Sequence, residues 1–530
     1  MPRKTIKILP TEMLIEIFSH LPFSAFKRCA QVCRRWFHII MCQMRFFEKA
    51  TLRIDLIGWD DTSKATKYLK WLMVSTRPYR HLHISIVQDK WHLVPRLVHR
   101  FSDSLTHLTL ENTCPQYPYE IEKSVLQGIF ESAQRLVEFQ VFGYVRIVIS
   151  NPCQKISFPQ LTHLERLYMD RHAFHNTNYN WAAIAPNLRD MHISLNTTCT
   201  SYLEMIRSFS QTLEGLGLVE RDRQAFFRAL GNIRFPKVQR LVVDSWENPL
   251  PDQARKFFDR FEQITHLDYG LKLSLPVLNI LVEKFQDLET IRLRNDFPKE
   301  VFTGLAKLPH LKEVSFRTDH HNIVKLVVTD PLHQMQKLSF NHCASLEDQS
   351  EFFQQLSQNA PVLTSLELNR LNKSHTLDTI CRSFPSLRSL VINWQCKKLT
   401  TKSFLCLNTL NNLEHLGLRC DFQTRPGYSW VYFPVCPSIR SLFLSIRYPR
   451  FDPADAEEQE DHEWETMGHK FSSLAMLKLS ECEPRIRPRQ LATLRWALPR
   501  YCKIDIGMRP ERMFPQMNPS TVPEVVIGNW

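Results

Sequence analysis

Four basic side chains in the middle of the chain have the chemistry to bind an anion. They are Arg292, Arg294, Arg317 and Lys337. A guanidinium group presents a planar fork of N–H donors that matches a carboxylate or a phosphate, and an ammonium group adds a compact positive charge. If the fold brings these four together, they form a basic patch that suits an acidic or phosphorylated protein segment. The prediction therefore depends on the elements that carry them.

A short pattern, apolar-x-x-apolar-x-apolar, recurs along most of the chain and supplies those elements. Examples are LTHLTL from Leu105, LETIRL from Leu288 and LEHLGL from Leu413. Most copies begin 23–28 residues apart, with helical patterns such as 124–136 and 351–363 between them. The alternation predicts one short strand per unit, and the period matches leucine-rich repeats. The alternative, a doubly wound α/β domain, has longer and less regular units.

Alternation along these strands predicts where the four basic side chains point. The residue between the last two apolar positions, and its alternate neighbours, face away from the core. We therefore expect Arg292, Arg294, Arg317 and Lys337 to gather across three neighbouring strands, on the concave face of a curved solenoid. The alternative is an ordinary charged and solvated strand face.

The repeats resemble the cysteine-containing class of leucine-rich repeats. That class places Cys or Asn about eight residues after the first leucine of the pattern. The position is kept in three units and is degenerate elsewhere: Asn196, Cys343 and Cys482.

The N-terminal stretch 9–41, LPTEMLIEIFSHLPFSAFKRCAQVCRRWFHIIM, has a different periodicity. Apolar residues from Met13 to Leu21 recur at three- and four-residue steps, and a second such run extends from Phe26 to Met41. Pro22 separates the two runs, so the pattern predicts two or three short amphipathic helices. A bundle of that size buries little surface, and it must lean on the rest of the chain or on a partner.

This stretch resembles an F-box. It opens with the Leu-Pro-x-Glu signature at Leu9, Pro10 and Glu12, and it closes with a Val-Cys-Arg-x-Trp run from Val32 to Trp36. The resemblance implies docking on the S-phase-kinase-associated adaptor, which links F-box proteins to a cullin. Some of the implied contact residues must instead hold the helices together, and the sequence does not separate the two roles. The implied adaptor-binding residues are Leu9, Pro10, Ile17, Leu21, Val32, Cys33 and Trp36.

Together these patterns predict an α/β chain in which a short, all-helical F-box precedes a curved leucine-rich-repeat solenoid with a parallel β-sheet on its concave face. We expect the F-box at 1–48, a connector and solenoid cap at 49–76, repeats at 77–515 and a tail at 516–530. Residues 449–468 lengthen one repeat, and 452–465 carry eight carboxylates without Lys or Arg. That composition predicts a loop.

Composition narrows the classes of function. The net charge of +13 favours acidic partners, although no nucleic-acid-binding motif accompanies it, so we do not expect nucleic acid as the partner. The 14 cysteines and 21 histidines show no metal-ligand spacing, and no phosphate-binding glycine loop or nucleophile elbow is present. We expect no metal, no cofactor and no catalysis. Without a signal peptide or an apolar run long enough to span a membrane, we expect the cytoplasm, the nucleus or both.

The resemblance implies a substrate-recognition subunit of an SCF-type cullin-RING ubiquitin ligase. The F-box would bind the adaptor, and the repeats would hold a protein target. Two alternatives stay open: an F-box scaffold that acts outside ubiquitylation, and a repeat-based binder of nucleic acid or another anionic ligand.

Overall fold

The computed structural model describes most of the repeat strands and two helices of the N-terminal stretch. The described residues are 9–19, 29, 31–42, 51–55, 70, 72–74, 78–86, 91–112, 119–143, 145–148, 158–169, 180–195, 200–220, 230–245, 249–294, 296–317, 326–341, 350–371, 374–394, 401–421, 433–447, 466–467, 469–480, 488–499 and 502–507. The acidic segment 452–465, Leu21, Asn196, Cys343 and Cys482 lie outside them.

The N-terminal stretch forms helices α1 (Thr11–Ser19) and α2 (Arg34–Cys42). Pro10 directly precedes α1, where its missing N–H is not needed because the first helical N–H groups have no intrahelical partner. The Pro10 carbonyl accepts the Leu14 N–H at 3.1 Å. The predicted helical character of this region is confirmed.

The chain divides into two compact units, residues 1–238 with 518–530, and residues 239–517. In the first unit a parallel sheet runs in the order β1-β2-β3-β5-β7-β8-β9. Its strands are β1 (Thr51–Asp55), β2 (His81–Ile86), β3 (His107–Asn112), β5 (Glu138–Phe142), β7 (Arg166–Met169), β8 (Asp190–Leu195) and β9 (Gly215–Glu220). The helices between them are α3 (Val94–Arg100), α4 (Lys123–Ser132), α5 (Trp181–Ile184) and α6 (Thr200–Phe209), with a 3₁₀ turn at Trp91–Leu93.

A second, two-stranded parallel sheet in this unit pairs β4 (Tyr119–Glu122) with β6 (Val145–Val148). These strands lie in the segments that follow β3 and β5. The sequence pattern did not predict them, because neither segment carries the six-residue repeat signature.

The second unit is a parallel sheet in strict sequence order from β10 to β20. Its strands are β10 (Arg240–Ser245), β11 (His266–Tyr269), β12 (Thr290–Leu293), β13 (Glu313–Arg317), β14 (Lys337–Asn341), β15 (Ser365–Leu371), β16 (Ser389–Trp394), β17 (His415–Asp421), β18 (Ser441–Arg447), β19 (Met476–Ser480) and β20 (Lys503–Gly507). The helices are α7 (Pro251–Phe258), α8 (Leu275–Lys284), α9 (Val301–Leu305), α10 (Ser350–Asn359), α11 (Ser374–Ser383) and α12 (Pro488–Ala497), with a 3₁₀ helix at Thr401–Thr409.

Register is set by the apolar positions of the six-residue pattern. Ile291, Val314 and Leu338 are direct cross-strand neighbours, and all three are fully buried. Two residues further along the same strands, Phe316 and Phe340 stack at 5.1 Å between ring centroids. A shift of one residue would turn every apolar side chain to the other face, so burial fixes the pairing.

Backbone hydrogen bonds repeat at the start of each strand. The Glu289 carbonyl accepts the N–H groups of Lys312 and Glu313 at 2.8 and 3.0 Å. One repeat later, the Lys312 carbonyl accepts those of Gln336 and Lys337 at the same two distances. Each turn thereby positions the next, and the expected leucine-rich-repeat-like α/β architecture is confirmed. The domain boundaries inferred from the sequence remain predictions.

Helices cover one face of each sheet, which we call the covered face; the opposite one is the open face. On the covered face of the first unit, Phe130 of α4 is fully buried against Phe139 of β5, at 5.3 Å between ring centroids. It also contacts Phe158 and Trp181 edge-on, at 5.7 and 6.3 Å. Phe142, at the end of β5, is 39% exposed and provides a matched comparison.

We expect Phe130→Ala to lower the free energy of unfolding of this region by about 3–5 kcal/mol, because it leaves a cavity among the aromatic rings. Phe142→Ala should cost less than about 1 kcal/mol, as exposed substitutions do. Guanidinium titration of the full chain, followed by tryptophan fluorescence, measures both. Equal destabilisation by the two variants would contradict the packing described.

Candidate protein-binding surfaces

The two N-terminal helices enclose a small apolar core. Phe18 of α1 meets Trp36 of α2 edge-on at 5.0 Å between ring centroids. Leu14, Ile39 and Ile40 complete the buried cluster. Trp36 is only 9% exposed, so among the residues implied as adaptor contacts it serves the core of the helical pair.

The extended Leu-Pro entry is fastened to α2. The guanidinium of Arg35 donates to the Leu9 carbonyl at 2.7 Å and to the Thr11 hydroxyl at 3.1 Å. Leu9 and Cys33 are partly buried and pack against the apolar cluster. Arg35 thus positions the start of α1 against α2, a role that the sequence signature did not reveal.

Several apolar side chains of the same helical pair remain exposed. Ile17 is 40% exposed and Val32 is 58% exposed, and Pro10 is also exposed. Met13 and Phe37, which the sequence did not single out, are exposed to about half of their surface. We define these five residues as the exposed apolar set. Burial therefore separates the two roles that the sequence left mixed: Trp36 closes the core, while Pro10, Ile17 and Val32 face solvent.

On the second unit, the four basic side chains lie on or beside three adjacent strands, as predicted. Arg292 is on β12, Arg294 directly follows β12, Arg317 ends β13 and Lys337 begins β14. The strands pair in register, so that Arg292 stands opposite Ser315 on the open face. Sequence reasoning placed the backbone positions, but it did not take account of the acidic neighbours.

Arg294 is held by two carboxylates. Its Nε and Nη2 donate to both oxygens of Asp268 at 2.7 and 2.5 Å, and Nη1 donates to Asp244 at 3.3 Å. Burial alone would lower the pKa of Arg294, but the hydrogen bonds and charges of Asp268 and Asp244 raise it. A bidentate pair of this kind fixes the guanidinium in place. Arg294 therefore joins β10, β11 and the end of β12.

Glu313 is the acidic partner of two other basic side chains of the group. Lys337 Nζ lies 3.0 Å from Glu313 Oε1, and Arg292 approaches the same oxygen at 4.0 Å. Arg292 keeps 57% of its side-chain surface exposed. Among the described residues, Arg317 is exposed and forms no ion pair. The surface is one of mixed charge, on which Arg292 and Arg317 are the basic side chains most accessible to a ligand.

The open face of the first unit carries a polar network that the sequence analysis missed. Glu111 of β3 accepts hydrogen bonds from His83 at 2.7 Å and from Ser85 at 3.1 Å, and Arg53 lies 3.5 Å away. Burial opposes ionisation, but the His83 and Ser85 hydrogen bonds and the His83 and Arg53 charges lower the pKa of Glu111. The sequence does carry a signal for this network, because His and Glu residues occupy the outward-facing positions of the strand patterns HLHISI and HLTLEN.

Next to it, two histidine rings stack across β2 and β3. His81 and His107 lie 4.0 Å apart between ring centroids, at an interplanar angle of 17°. The Arg166 guanidinium donates to His107 Nε2 at 3.1 Å and forms an ion pair with Glu138 at 2.8 Å. Since Nε2 accepts that bond, the ring is neutral, with its proton on Nδ1 toward the Thr106 hydroxyl at 2.8 Å.

The histidine pair resists protonation. Burial, then the charges of His81, Arg166 and Arg80, lower the pKa of His107 to about 4. Burial and the charges of Arg166 and Arg80 also lower the pKa of His81. The described His, Cys, Asp and Glu residues form no group of three that could hold a metal ion. No helix among the described residues is long and apolar enough to cross a membrane.

A known protein family matches the region that contains the helical pair. Residues 6–52 match the family model described as F-box-like. No curated protein matches the sequence. Among solved structures, the leucine-rich-repeat-containing protein LegL7 from Legionella pneumophila is similar at 10% identity and a TM-score of 0.33, over 60% of this chain and 94% of its own. A chain of the yeast Rad7–Elc1 complex is similar at 14% identity and a TM-score of 0.31, over 91% of this chain and 96% of its own.

These two distant likenesses add no argument, and the assignment rests on the F-box-like match and the chain's own strand geometry. The N-terminal helices form an F-box-like domain, and a long, leucine-rich-repeat-like parallel sheet follows it.

The lowered pKa of His107 predicts a pH dependence of stability. The unfolded chain takes up a proton near pH 6.5, whereas the folded chain does so only near pH 4. Stability is therefore complete above pH 6.5 and falls as the pH drops toward 4, by on the order of 1 kcal/mol after screening of this half-buried group. Guanidinium titrations between pH 7.5 and 4.5 measure the loss.

His107→Gln removes this ionisable group while keeping a polar side chain of similar reach. Its free energy of unfolding should fall less steeply between pH 6.5 and 4.5 than that of the wild type. Subtracting the two profiles cancels the contributions of the carboxylates. Parallel profiles would show that His107 is not held neutral.

Proposed function

We propose that this chain is a substrate-recognition subunit of an SCF-type cullin-RING ubiquitin ligase. The observation that carries the proposal is the exposed apolar set on a helical pair that matches the F-box-like family model. Apolar side chains left exposed on a small domain favour a protein partner. For an F-box-like domain, that partner is the S-phase-kinase-associated adaptor, through which the chain joins a cullin.

The helical pair supports this role because its core and its exposed residues are distinct. Phe18 and Trp36 stabilise the pair from inside, and Arg35 holds the Leu9 backbone in place. Pro10, Ile17 and Val32 then face outward on a framework that exists before binding. Preorganisation of this kind lowers the entropic cost of association.

The open faces of the repeat strands are the proposed target-binding surfaces. Parallel strands present their alternate side chains at fixed spacing, so several repeats read one extended ligand. Arg292 and Arg317 are the proposed contacts to an acidic or phosphorylated target segment. Lys337, which forms an ion pair with Glu313, is the proposed secondary contact. Arg294 has a structural role, because its ion pair with Asp268 joins neighbouring strands.

In this proposal the chain itself performs no chemistry. It holds a target so that its lysines lie within reach of a ubiquitin-conjugating enzyme, and the acceleration comes from proximity. The proposal needs neither a metal nor a cofactor, and it places the protein in the cytoplasm, the nucleus or both.

We expect Ile17→Asp and Val32→Asp each to weaken adaptor binding by about ten-fold or more, since burying a new carboxylate in an apolar interface costs more than 1.4 kcal/mol. Affinity purification of the tagged full chain, with the adaptor and cullin quantified by mass spectrometry, measures the effect. Val435→Asp is the matched control, because Val435 is 63% exposed and belongs to the second unit.

Retention of the adaptor by both F-box variants would contradict the proposed adaptor surface. Retention of the adaptor without cullin in the wild type would instead favour a scaffold that acts outside ubiquitylation.

The target-binding surface has a separate test. Arg292→Ala combined with Arg317→Ala should reduce the recovery of captured targets by about ten-fold, because two cationic contacts are lost while the Lys337–Glu313 and Arg294–Asp268 ion pairs remain. Targets are quantified by mass spectrometry after crosslinking in the presence of a proteasome inhibitor. Adaptor recovery should stay unchanged.

The control for that test is Arg255→Ala, which removes an exposed arginine from helix α7. It should leave target recovery at the wild-type level. If the Arg292→Ala/Arg317→Ala variant captured the same targets as the wild type, Arg292 and Arg317 would not be target contacts.

A further inference from the structure

Three cysteines of the second unit lie in consecutive segments between strands. Cys381 is on α11, Cys406 is on the 3₁₀ helix Thr401–Thr409, and Cys436 precedes β18. All three are in the reduced, thiol form. The proposed adaptor and target surfaces contain none of them.

Cys381 and Cys406 are in direct contact. α11 packs against the 3₁₀ helix, and the two thiols form a side-chain hydrogen bond. The Thr409 hydroxyl lies 3.3 Å from the Cys381 carbonyl oxygen and 2.8 Å from that of Cys406, so one side chain contacts both main chains beside the thiols. Disulfides join residues whose α-carbons lie about 4–7 Å apart. Adjacent main chains with hydrogen-bonded sulfurs meet that requirement without a rearrangement of either helix.

The two thiols differ in their access to solvent. Cys381 is fully buried, whereas Cys406 is half-buried and follows Leu405, which is 51% exposed. The hydrogen bond with Cys406 and burial are the largest of the causes that raise the pKa of the Cys381 thiol. Cys381 therefore keeps its proton and donates it toward the Cys406 sulfur. A small oxidant in solution reaches Cys406 first.

Cys436 is a poorer partner for Cys406, although it lies in the next segment. It is 5% exposed, and its main-chain N–H donates to the Lys470 carbonyl at 2.8 Å. Burial raises the pKa of Cys436 to about 11 and the Lys470 charge opposes this rise, whereas Cys406 acts directly on Cys381. The thiol–thiol hydrogen bond thus selects Cys381 as the partner of Cys406.

We propose that Cys381 and Cys406 form a reversible disulfide when the chain meets a hydroperoxide, of which hydrogen peroxide is the simplest. The bond ties α11 to the 3₁₀ helix and so fastens two consecutive repeats together. In a reducing compartment the thiols are the resting state, and a disulfide there is typically transient and redox-sensing. The inference does not depend on the proposed function, because neither thiol belongs to the proposed adaptor or target surface.

The reaction balances with hydrogen peroxide as the oxidant. The Cys406 thiolate attacks one peroxide oxygen, the O–O bond breaks, and a sulfenic acid forms while hydroxide leaves and becomes water with the proton that the thiol lost. The Cys381 sulfur then attacks the Cys406 sulfur, the S–O bond breaks, and the Cys381 proton leaves with hydroxide as a second water. The two thiols lose two electrons, which one peroxide gains. A dithiol such as dithiothreitol reverses the bond by exchange.

Trypsin places the two cysteines on separate peptides, 374–382 and 403–419, each of which contains no other cysteine. The reduced full chain is treated with hydrogen peroxide, the remaining thiols are blocked with N-ethylmaleimide in denaturant, and the digest is analysed by mass spectrometry without reduction. We expect the two peptides as one cross-linked species, lighter than their sum by two hydrogen atoms, which dithiothreitol separates. Because the wild type carries this test, its result does not depend on the folding of a variant.

Three variants serve as controls. Cys406→Ser and Cys381→Ala should each abolish the cross-linked species. In Cys381→Ala the sulfenic acid on Cys406 has no thiol partner, so a second peroxide should convert it to the sulfinic acid, which adds two oxygen atoms to peptide 403–419. Cys502→Ser removes another half-buried cysteine of the same unit and should leave the cross-link at the wild-type yield.

The cross-link should also stabilise the second unit. It closes a loop of about 25 residues in the unfolded chain, so the oxidised wild type should melt about 5 °C above the reduced wild type. Differential scanning calorimetry measures the shift, which should be absent in Cys406→Ser and should disappear after reduction.

Sulfinic acid on Cys406 of the wild type with Cys381 still reduced would overturn the proposal, and so would a disulfide between Cys406 and Cys436. Oxidation of Cys502 at peroxide concentrations that leave Cys406 unchanged would contradict the assignment of Cys406 as the thiol attacked first. An unchanged melting temperature in chains that carry the cross-link would show that it does not fasten the two repeats.

Discussion

Register is the constraint on which the rest of this protein depends. In each unit, every repeat contributes a strand whose apolar side chains must meet those of its neighbours on the covered face. Ile291, Val314 and Leu338 meet in this way, and the paired N–H groups at each strand start join one turn to the next. Because side chains alternate, fixing the inward row also fixes the outward row. The packing of the core therefore determines which residues lie on the open face.

The outward row is free to vary, but its residues interact across strands. Arg294 forms ion pairs with Asp268 and Asp244, and Glu313 lies between Lys337 and Arg292. The more exposed pairs of Glu313 contribute about 0–1 kcal/mol each, so their larger effect is on the charge that a ligand meets. A basic side chain such as Arg294, which two carboxylates hold, stabilises neighbouring strands. A more weakly paired one such as Arg292 remains available to bind a ligand. This distinction, rather than the number of basic residues, defines a binding surface on such a sheet.

Strand positions and their facing could be predicted from the sequence because both follow from one periodic pattern. Arg292, Arg317 and Lys337 lie where the alternation placed them. Cross-strand partners were harder to predict, because residues some 25 positions apart become neighbours only once register is known. Asp268 and Glu313 were visible in the sequence, but only pairing shows which cation each one holds. The β4–β6 sheet escaped prediction because its strands lie outside the repeat pattern.

In the helical pair, too, the sequence predicts the elements but not which of their apolar side chains are buried. Helical periodicity puts Ile17 and Phe18 on one apolar face, yet Phe18 is buried and Ile17 is 40% exposed. Among the described residues, α1 packs against α2 alone, and this contact buries a stripe narrower than the apolar face of α1. The remainder is available to a partner. Trp36 suits an interface anchor by residue type, but it is buried and is the largest of the five buried side chains in the described part of the helical pair. In so small a domain the largest apolar side chain stabilises the core, and the proposed adaptor surface consists of apolar residues that the core does not use.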